Sequence, residues 1–246
     1  MQNKVVVITG ASRGIGKATA LLLAARGAKI VINYLENEQA AQDVLTEVTK
    51  HSDGIIVQGD ISKLADVEKI RNKVIEKFGR VDVVINNAGI INWPNGWDSY
   101  TDESIHSALG TNLIGHMHMT RVFAEDLKAT KGNIVNISST YGLMSSPVVT
   151  LYTAAKAALL DFTKSTAWAL GEFGIRVNAV LPGIIDTDMT ANAPKEYVDD
   201  VIARTPLKRL GKPEEMAEII AFLASDKASF MTGAHIIADG GHILMN

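Results

Sequence analysis

The sequence predicts an α/β fold in which a parallel β-sheet is covered by helices on both faces. Short apolar runs alternate along the whole chain with longer segments whose apolar residues recur at helical spacing. The 246 residues suit one large domain, or at most two small ones. Hydrophobic residues make up 47% of the chain and aromatic residues only 6%, so aliphatic side chains must fill the core, which is typical of buried parallel strands.

The predicted strands are short aliphatic runs, and the predicted helices lie between them. We expect strands at residues 4–9, 28–33, 54–59, 81–86, 132–138, 175–181 and 234–238. Helices are expected at residues 14–26, 39–51, 64–78, 151–173 and 213–224, and residues 102–130 hold one long helix or two abutting helices. The segment 183–210, which contains Pro194 and Pro206, breaks this alternation. We interpret it as a lid or substrate-binding loop.

Composition argues against several classes of function. The net charge of -3 does not favour binding of nucleic acid. The chain has no cysteine, which excludes disulfides and thiolate chemistry. It shows no signal-peptide pattern at its start and no apolar run of membrane-spanning length, so we expect a cytoplasmic protein. The six histidines are scattered, and no metal site is expected from their spacing.

A glycine-rich turn joins the first strand to the first helix. It reads Thr9-Gly10-Ala11-Ser12-Arg13-Gly14-Ile15-Gly16. Glycines let the backbone approach a pyrophosphate closely, and a helix N-terminus attracts its negative charge. Glycines also serve ordinary turns, but the position between a strand and a helix favours binding of a dinucleotide.

The end of the second strand bears on the choice between NAD(H) and NADP(H). An acid there would bind the ribose 2′-hydroxyl and repel a 2′-phosphate. The strand ends in Asn33-Tyr34-Leu35, and the first acid is Glu36. Arg13 offers a guanidinium that suits phosphate oxygens, although an arginine in a turn can simply be solvated. These residues favour NADP(H), with NAD(H) as the alternative.

Tyr152 and Lys156 lie four residues apart in a helical pattern, which places them on one face of the helix. A free tyrosine has a pKa near about 10, and a nearby ammonium group would lower it. Ser139 closes the fifth strand. From there its hydroxyl can be directed at the carbonyl oxygen of a substrate that also receives a proton from Tyr152. Each of these residues taken singly is common on helices and at strand ends, so the pair alone is weak evidence of function.

The combination of motifs resembles the short-chain dehydrogenase/reductase family. The glycine turn, Asn86-Asn87-Ala88-Gly89 after the fourth strand, Ser139, and Tyr152 with Lys156 occur in the family's order. Pro182-Gly183 after the sixth strand and the closing Asp239-Gly240-Gly241 extend the resemblance over essentially the whole chain. It implies a single Rossmann domain over residues 1–246 with a seven-stranded parallel sheet, and a homotetramer.

The resemblance implies four catalytic residues. Tyr152 is the acid/base, and Lys156 lowers its pKa and binds the nicotinamide ribose. Ser139 polarises the substrate carbonyl and is preferred to Ser138 for this role. Asn112 is similar to the helix asparagine that holds a water in the proton relay. An asparagine is intrinsically disfavoured in a helix interior, so its presence there asks for a reason.

The resemblance also implies a set of cofactor contacts, some of which have purely structural explanations such as a turn or a strand end. They are Gly10, Ser12, Arg13, Gly14, Ile15 and Gly16 at the phosphates; Asp60 and Ile61 at the adenine; Asn87, Ala88 and Gly89 at its ribose; Tyr152 and Lys156 at the nicotinamide ribose; and Pro182, Gly183, Ile185 and Thr187 near the carboxamide or phosphates.

The implied reaction is hydride transfer between NADP(H) and a ketone or secondary alcohol. Within the family the motifs look most like 3-oxoacyl-[acyl-carrier-protein] reductases, and residues 28–34 and 197–241 also look like glucose 1-dehydrogenases. A carrier-bound acyl thioester predicts a basic docking patch, to which Arg204, Lys208 and Arg209 can contribute. A sugar predicts a polar pocket. Pocket candidates are Trp93, Trp97, Tyr141, Met144 and Met189. A non-catalytic dinucleotide sensor and a structural protein without a ligand are the alternatives from other classes.

Overall fold

A parallel sheet forms the middle layer of the fold. The computed structural model describes residues 1–91, 93 and 97–245, and within them seven strands run in the order β3-β2-β1-β4-β5-β6-β7. Every strand pair is parallel. The strands are β1 (Val5–Ile8), β2 (Lys29–Tyr34), β3 (Gly54–Gln58), β4 (Val83–Asn86), β5 (Asn133–Ile137), β6 (Arg176–Pro182) and β7 (His235–Ala238).

Helices cover both faces of this sheet, as predicted. They are α1 (Gly14–Ala25), α2 (Glu38–Val48), α3 (Leu64–Phe78), α4 (Asp102–Leu109), α5 (Gly115–Thr130), α6 (Thr150–Gly171), α7 (Asp188–Ala191), α8 (Lys195–Arg204) and α9 (Pro213–Ala224). Helices α1, α2 and α9 share one hydrophobic cluster, and α3, α5 and α6 share another. None of the helices among the described residues has the length and apolar character needed to cross a membrane.

The two clusters meet the sheet through alternate side chains of its strands. In β1, Val6 and Ile8 pack into the first cluster, whereas Val5 and Val7 pack into the second. All four side chains are fully or almost fully buried. Because successive residues of a strand point to opposite faces, a strand covered on both sides must be apolar throughout, as this one is.

The order of the strands reverses between β1 and β4, which are neighbours although β2 and β3 separate them in the chain. The crossovers therefore leave in opposite directions from this point and open a crevice at the carboxyl ends of the two strands. The glycine turn follows β1, and Asn87, Ala88 and Gly89 follow β4. The fold thus brings together two motifs that lie more than seventy residues apart in the sequence.

One predicted region differs from the structure, and another takes one of the two forms expected of it. The segment 183–210 is not irregular throughout, because it contains α7 and the ten-residue helix α8. Pro194 caps the start of α8 and Pro206 lies beyond its end, so the prolines bound a helix instead of preventing one. Residues 102–130 form α4 and α5 joined by a π-helical turn, Gly110–Ile114, which contains Asn112.

Candidate active site

The glycine turn is held in a conformation that needs glycine. Gly10 and Gly14 have φ angles of +61° and +54°. A Cβ on Gly10 would lie 3.0 Å from the Cα of Ala88, and one on Gly16 would lie 2.5 Å from the carbonyl oxygen of Gly10. Side chains here would therefore be strained or would clash with backbone, and the bare backbone forms a close-fitting cradle.

Thr9 joins this turn to the loop after β4. Its buried hydroxyl accepts hydrogen bonds from the backbone N–H groups of Asn87 and Ala88, both at 2.9 Å. In return, the side-chain amide of Asn87 donates to the carbonyl oxygens of Thr9 and Gly10, at 2.8 and 3.1 Å. We did not predict Thr9 as a site residue, although a polar residue ending an otherwise aliphatic strand was a usable signal.

Helix α1 presents an open N-terminus to the crevice. Arg13 occupies the N-cap position without a side-chain capping bond, and the first turn of α1 contains no acidic residue. The first backbone N–H groups of a helix have no intrahelical partner, so they are suited to an anion such as a pyrophosphate. Thr187 lies beside this turn, with its Cγ2 3.3 Å from where a Cβ of Gly14 would be.

The remaining predicted cofactor residues occupy more varied settings. Gly183 donates its N–H to the carbonyl oxygen of Ala238 just after Pro182 ends β6. Ile185 is 5% exposed and packs into the core, and its carbonyl oxygen accepts hydrogen bonds from the hydroxyls of Thr187 and Thr190, at 3.4 and 2.6 Å. Ser12 is half-buried in the turn.

Asp60 and Ile61 are engaged within the protein itself. The Asp60 carboxylate accepts hydrogen bonds from the N–H and hydroxyl of Ser62, at 3.0 and 2.7 Å. Burial alone would raise the pKa of Asp60, but these bonds and Lys63 lower it overall. Ile61 is 3% exposed and packs against Gly115, which leaves no room for a side chain there. Their predicted contact with adenine stays a prediction.

Ser139, Tyr152 and Lys156 converge at the carboxyl end of β5. Ser139 lies two residues beyond the strand, within hydrogen-bonding reach of the Tyr152 hydroxyl. The Lys156 Nζ lies 5.5 Å from the centroid of the Tyr152 ring and donates to the carbonyl oxygen of Ile137 at 2.7 Å. Ser138 instead donates to the backbone oxygen of Lys156 at 2.9 Å and is thereby used in joining β5 to α6. The preference for Ser139 over Ser138 as the residue that polarises the substrate carbonyl stays a prediction.

The ionisation of these groups differs from the prediction. Burial raises the pKa of Tyr152 to about 12, although a hydrogen bond from Ser139 acts in the opposite direction. Burial likewise lowers the pKa of Lys156 to about 7. The pKa of Tyr152 is therefore raised and not lowered as expected, because burial disfavours the phenolate, and Lys156 is not among the groups that shift it.

Asn112 links the π-helical turn to the loop after β4. Its amide nitrogen donates to the carbonyl oxygens of Ile90 and Ala108, at 3.0 and 2.9 Å, and its oxygen accepts from the N–H of Ile90 at 3.1 Å. A Cβ on Gly89 would lie 3.0 Å from that oxygen and 3.7 Å from the Lys156 Nζ. Asn112 is thus close to the lysine, and its side chain holds the loop in position.

His116, one helical turn after Asn112, is a buried group that the sequence analysis did not select. Its Nε2 contacts the carbonyl oxygen of Ala88 at 2.9 Å, while Nδ1 has no hydrogen-bond partner among the described residues. Burial, reinforced by the charge of Lys156, lowers the pKa of His116 to about 3. The imidazole is therefore neutral at physiological pH. No cluster of three or more potential metal ligands occurs in the described part of the chain.

The pocket candidates separate into two groups. Trp93 packs edge-on against Tyr197, with ring centroids 5.4 Å apart, and the Tyr197 hydroxyl is hydrogen-bonded to that of Tyr141. Met144 and Met189 are half-buried. Trp97 is different, since it is 72% exposed and packs on Tyr100 outside this cluster. Tyr197 was not predicted, because no local motif marks it.

The predicted basic docking patch is largely neutralised by carboxylates of the same chain. Arg204 pairs with Asp200, and Arg209 forms two hydrogen bonds with Glu215, at 2.8 and 2.7 Å. Residues 183–210 carry four basic and five acidic side chains. Lys208, the third predicted residue, donates to the carbonyl oxygen of Ala203 and forms no ion pair among the described residues. The segment as a whole thus carries no net positive charge with which to attract an acidic partner.

Comparisons with known proteins find relatives that match almost the whole chain. Residues 10–242 match the family described as enoyl-(acyl carrier protein) reductase. A 3-oxoacyl-[acyl-carrier-protein] reductase of Synechocystis is 40% identical over 98% of this chain and 97% of its own length. An L-rhamnose 1-dehydrogenase (NAD(P)(+)) of Sphingomonas is 39% identical over 98% of this chain and 96% of its own. A variant of a Serratia marcescens short-chain dehydrogenase/reductase superposes with a TM-score of 0.92 at 30% identity, covering 98% of both chains.

Proposed function

Because this chain belongs to the short-chain dehydrogenase/reductase family, we propose that it is an oxidoreductase in which Tyr152 exchanges the proton that accompanies hydride transfer to or from a carbonyl carbon. The observation that carries the proposal is the convergence of Ser139, Tyr152 and Lys156 beside the glycine turn. A nicotinamide cofactor supplies or accepts the hydride. The cradle of Gly10 and Gly14 and the open N-terminus of α1 fit the pyrophosphate of such a cofactor.

The protonation states support a proton donor at Tyr152. With a pKa near 12, the phenol carries its proton at neutral pH and can donate it to the oxygen of a carbonyl substrate. Ser139 then stabilises the phenolate through its hydroxyl. Lys156, with a pKa near 7, can both carry and release a proton at neutral pH, which suits a group that returns one to the tyrosine.

For the cofactor we favour NADP(H), with NAD(H) also used. The Arg13 side chain is 75% exposed and ion-paired with Asp188 at 3.6 Å, an exposed contact that it would exchange for a 2′-phosphate. Strand β2 ends at Tyr34 without an acid, and Glu36 follows two residues later. Arg13→Ala should raise the Kd for NADPH more than that for NADH, as measured by nucleotide fluorescence. Equal changes in the two constants would reverse the preference.

For the substrate we favour a free small carbonyl compound or alcohol over a carrier-bound acyl thioester. The ion pairs of Arg204 and Arg209 support this choice, because they leave Lys208, which donates to the carbonyl oxygen of Ala203, as the one predicted docking residue without a carboxylate partner in the described part of the chain. A reductase of 3-oxoacyl thioesters remains the second candidate, favoured by the likeness to the Synechocystis protein. Assays of ketones, acyl thioesters and sugars with both cofactors distinguish the two.

The central experiment is Tyr152→Phe, with Tyr100→Phe as a matched control. Loss of general acid catalysis should lower kcat by about 10²–10⁴-fold while cofactor binding persists. Tyr100 loses only a hydroxyl that accepts the N–H of Thr150 at 3.2 Å, and its variant should stay active. Retained turnover in Tyr152→Phe would contradict the mechanism. Cofactor binding by the wild type without turnover of any compound would favour a dinucleotide sensor.

We also propose that the protein assembles as a homotetramer. Trp168 on α6 is 91% exposed, and Ile237 on β7 is 44% exposed, which is an unusual display of large apolar side chains. Light scattering after size-exclusion chromatography should give four times the chain mass of 26.4 kDa. Trp168→Glu should shift the protein to smaller species if α6 forms an interface.

A further inference from the structure

Three separate parts of the chain meet in one aromatic cluster beside the candidate catalytic residues. Tyr141 comes from the turn after β5, Tyr197 from α8, and Trp93 from the segment after β4. The two phenol hydroxyls are hydrogen-bonded to each other, and the indole meets the Tyr197 ring at an interplanar angle of 66°. We call Tyr141 and Tyr197 the tyrosine pair.

The tyrosine pair adjoins the position where a substrate carbonyl would react. The backbone N–H of Tyr141 donates to the Ser139 Oγ at 3.2 Å, so the same turn places both residues. The phenols of Tyr141 and Tyr152 interact electrostatically, as do those of Tyr152 and Tyr197. A molecule held by Ser139 and Tyr152 would therefore have the tyrosine pair beside it.

The chemistry of the pair indicates an uncharged, oxygen-bearing ligand. Burial raises the pKa of both phenols, so both carry protons at neutral pH and each can donate and accept. Their mutual hydrogen bond uses one of the two O–H donors and leaves the other available. The charged neighbours Asp200 and Arg204 pair with each other and offer no unpaired charge for an ionic ligand. A substrate hydroxyl or keto group can satisfy the free donor and an acceptor lone pair.

Building on the proposed function, we propose that Tyr141 and Tyr197 recognise a second oxygen next to the reacting carbon. The substrate class is then a compact α-hydroxyketone, reduced to a vicinal diol or formed from one. In the reduction, the cofactor hydride bonds to the carbonyl carbon, Tyr152 gives its proton to the carbonyl oxygen, and the hydroxyl on the neighbouring carbon is unchanged. Trp93 supplies an apolar wall for the carbon skeleton.

The test compares 2-hydroxycyclohexanone with cyclohexanone, which differ by one hydroxyl. The wild type should show a kcat/KM at least tenfold higher for the hydroxyketone, since a site built to bond a hydroxyl rejects an analogue that lacks it. Tyr197→Phe should lower this ratio to within about threefold of one, and Tyr141→Phe should lower it in the same direction. The kcat/KM for cyclohexanone is measured in each variant as the reference, and the ratio between the two compounds is the quantity compared. Tyr100→Phe serves as the control, and its ratio should equal that of the wild type.

The outcomes separate this inference from the proposed function. A wild type without preference for the hydroxyketone overturns the inference whether or not the variants fold. A wild type that reduces an acetoacetyl thioester but reduces neither 2-hydroxycyclohexanone nor cyclohexanone also overturns the inference. In that case the proposed oxidoreductase function stands. An unchanged ratio in a folded Tyr197→Phe, checked by its thermal unfolding, also overturns the inference. Full activity of Tyr152→Phe would instead contradict the proposed mechanism.

Discussion

We expect the buried Lys156 to lower the free energy of unfolding at neutral and acidic pH, compared with a variant that has an uncharged side chain at this position. Its side chain is 2% exposed, and burial lowers its pKa from 10.5 to about 7. Below pH 7 the lysine is protonated in both the folded and the unfolded chain, so the full cost of burying the charge is present. Between pH 7 and 10.5 only the unfolded chain keeps the proton, and the free energy of unfolding therefore rises with pH.

The size of this effect follows from the pKa difference. Each pKa unit corresponds to about 1.4 kcal/mol, so the burial cost at low pH is at most about 5 kcal/mol. Between pH 6 and pH 9 the same relation gives a rise of about 3 kcal/mol in the free energy of unfolding. The neighbouring groups do not titrate in this window, because His116 has a pKa of about 3 and Tyr152 of about 12.

Lys156→Met removes the charge and keeps the length of the side chain. It also removes the hydrogen bond to the carbonyl oxygen of Ile137, which costs about 1–3 kcal/mol. The variant should still be about 2–4 kcal/mol more stable than the wild type at pH 6, with a much smaller difference at pH 9. Turnover should be lost in the same variant.

Urea unfolding at pH 6 and pH 9, at one protein concentration, measures this difference. Lys164→Met is the control, because Lys164 lies on the same helix and is exposed. If Lys156→Met shows the same rise between pH 6 and pH 9 as the wild type, the lysine is not the source of the effect and the argument from burial fails.

Two further predictions concern the cradle. Gly10→Ala should destabilise the protein by about 1–2 kcal/mol because of the positive φ at this position, and it should also weaken cofactor binding. Gly79 is the control, because it has a φ of +71° and nothing within 4 Å of an added Cβ. Gly79→Ala should therefore destabilise the protein without weakening cofactor binding. Thr9→Val leaves two partly buried N–H groups without an acceptor and should lower the free energy of unfolding by about 1–3 kcal/mol, measured in urea. A change below about 1 kcal/mol in Thr9→Val would show that the loops rearrange freely.

Much of the fold was predictable because the patterns that specify it are local. Aliphatic runs marked the seven strands within one or two residues of most of their ends. The difference at α8 also has a local cause, because Pro194 and Pro206 lie at the two ends of this helix and do not interrupt it. An asparagine in a helix interior marked Asn112 as a candidate site residue. The sequence did not predict the π-helical turn around it, because the Asn112 side chain is hydrogen-bonded to Ile90 in the loop after β4.

The sequence by itself determined the alternating architecture, the glycine cradle and the helical spacing of Tyr152 and Lys156. These follow from backbone sterics and side-chain periodicity, which act between near neighbours. Only the tertiary structure decided that Thr9 holds Asn87, that Tyr141 meets Tyr197, and that the pKa of Tyr152 rises. Contacts between distant segments and removal from water depend on how the elements pack, and no local spacing encodes either one.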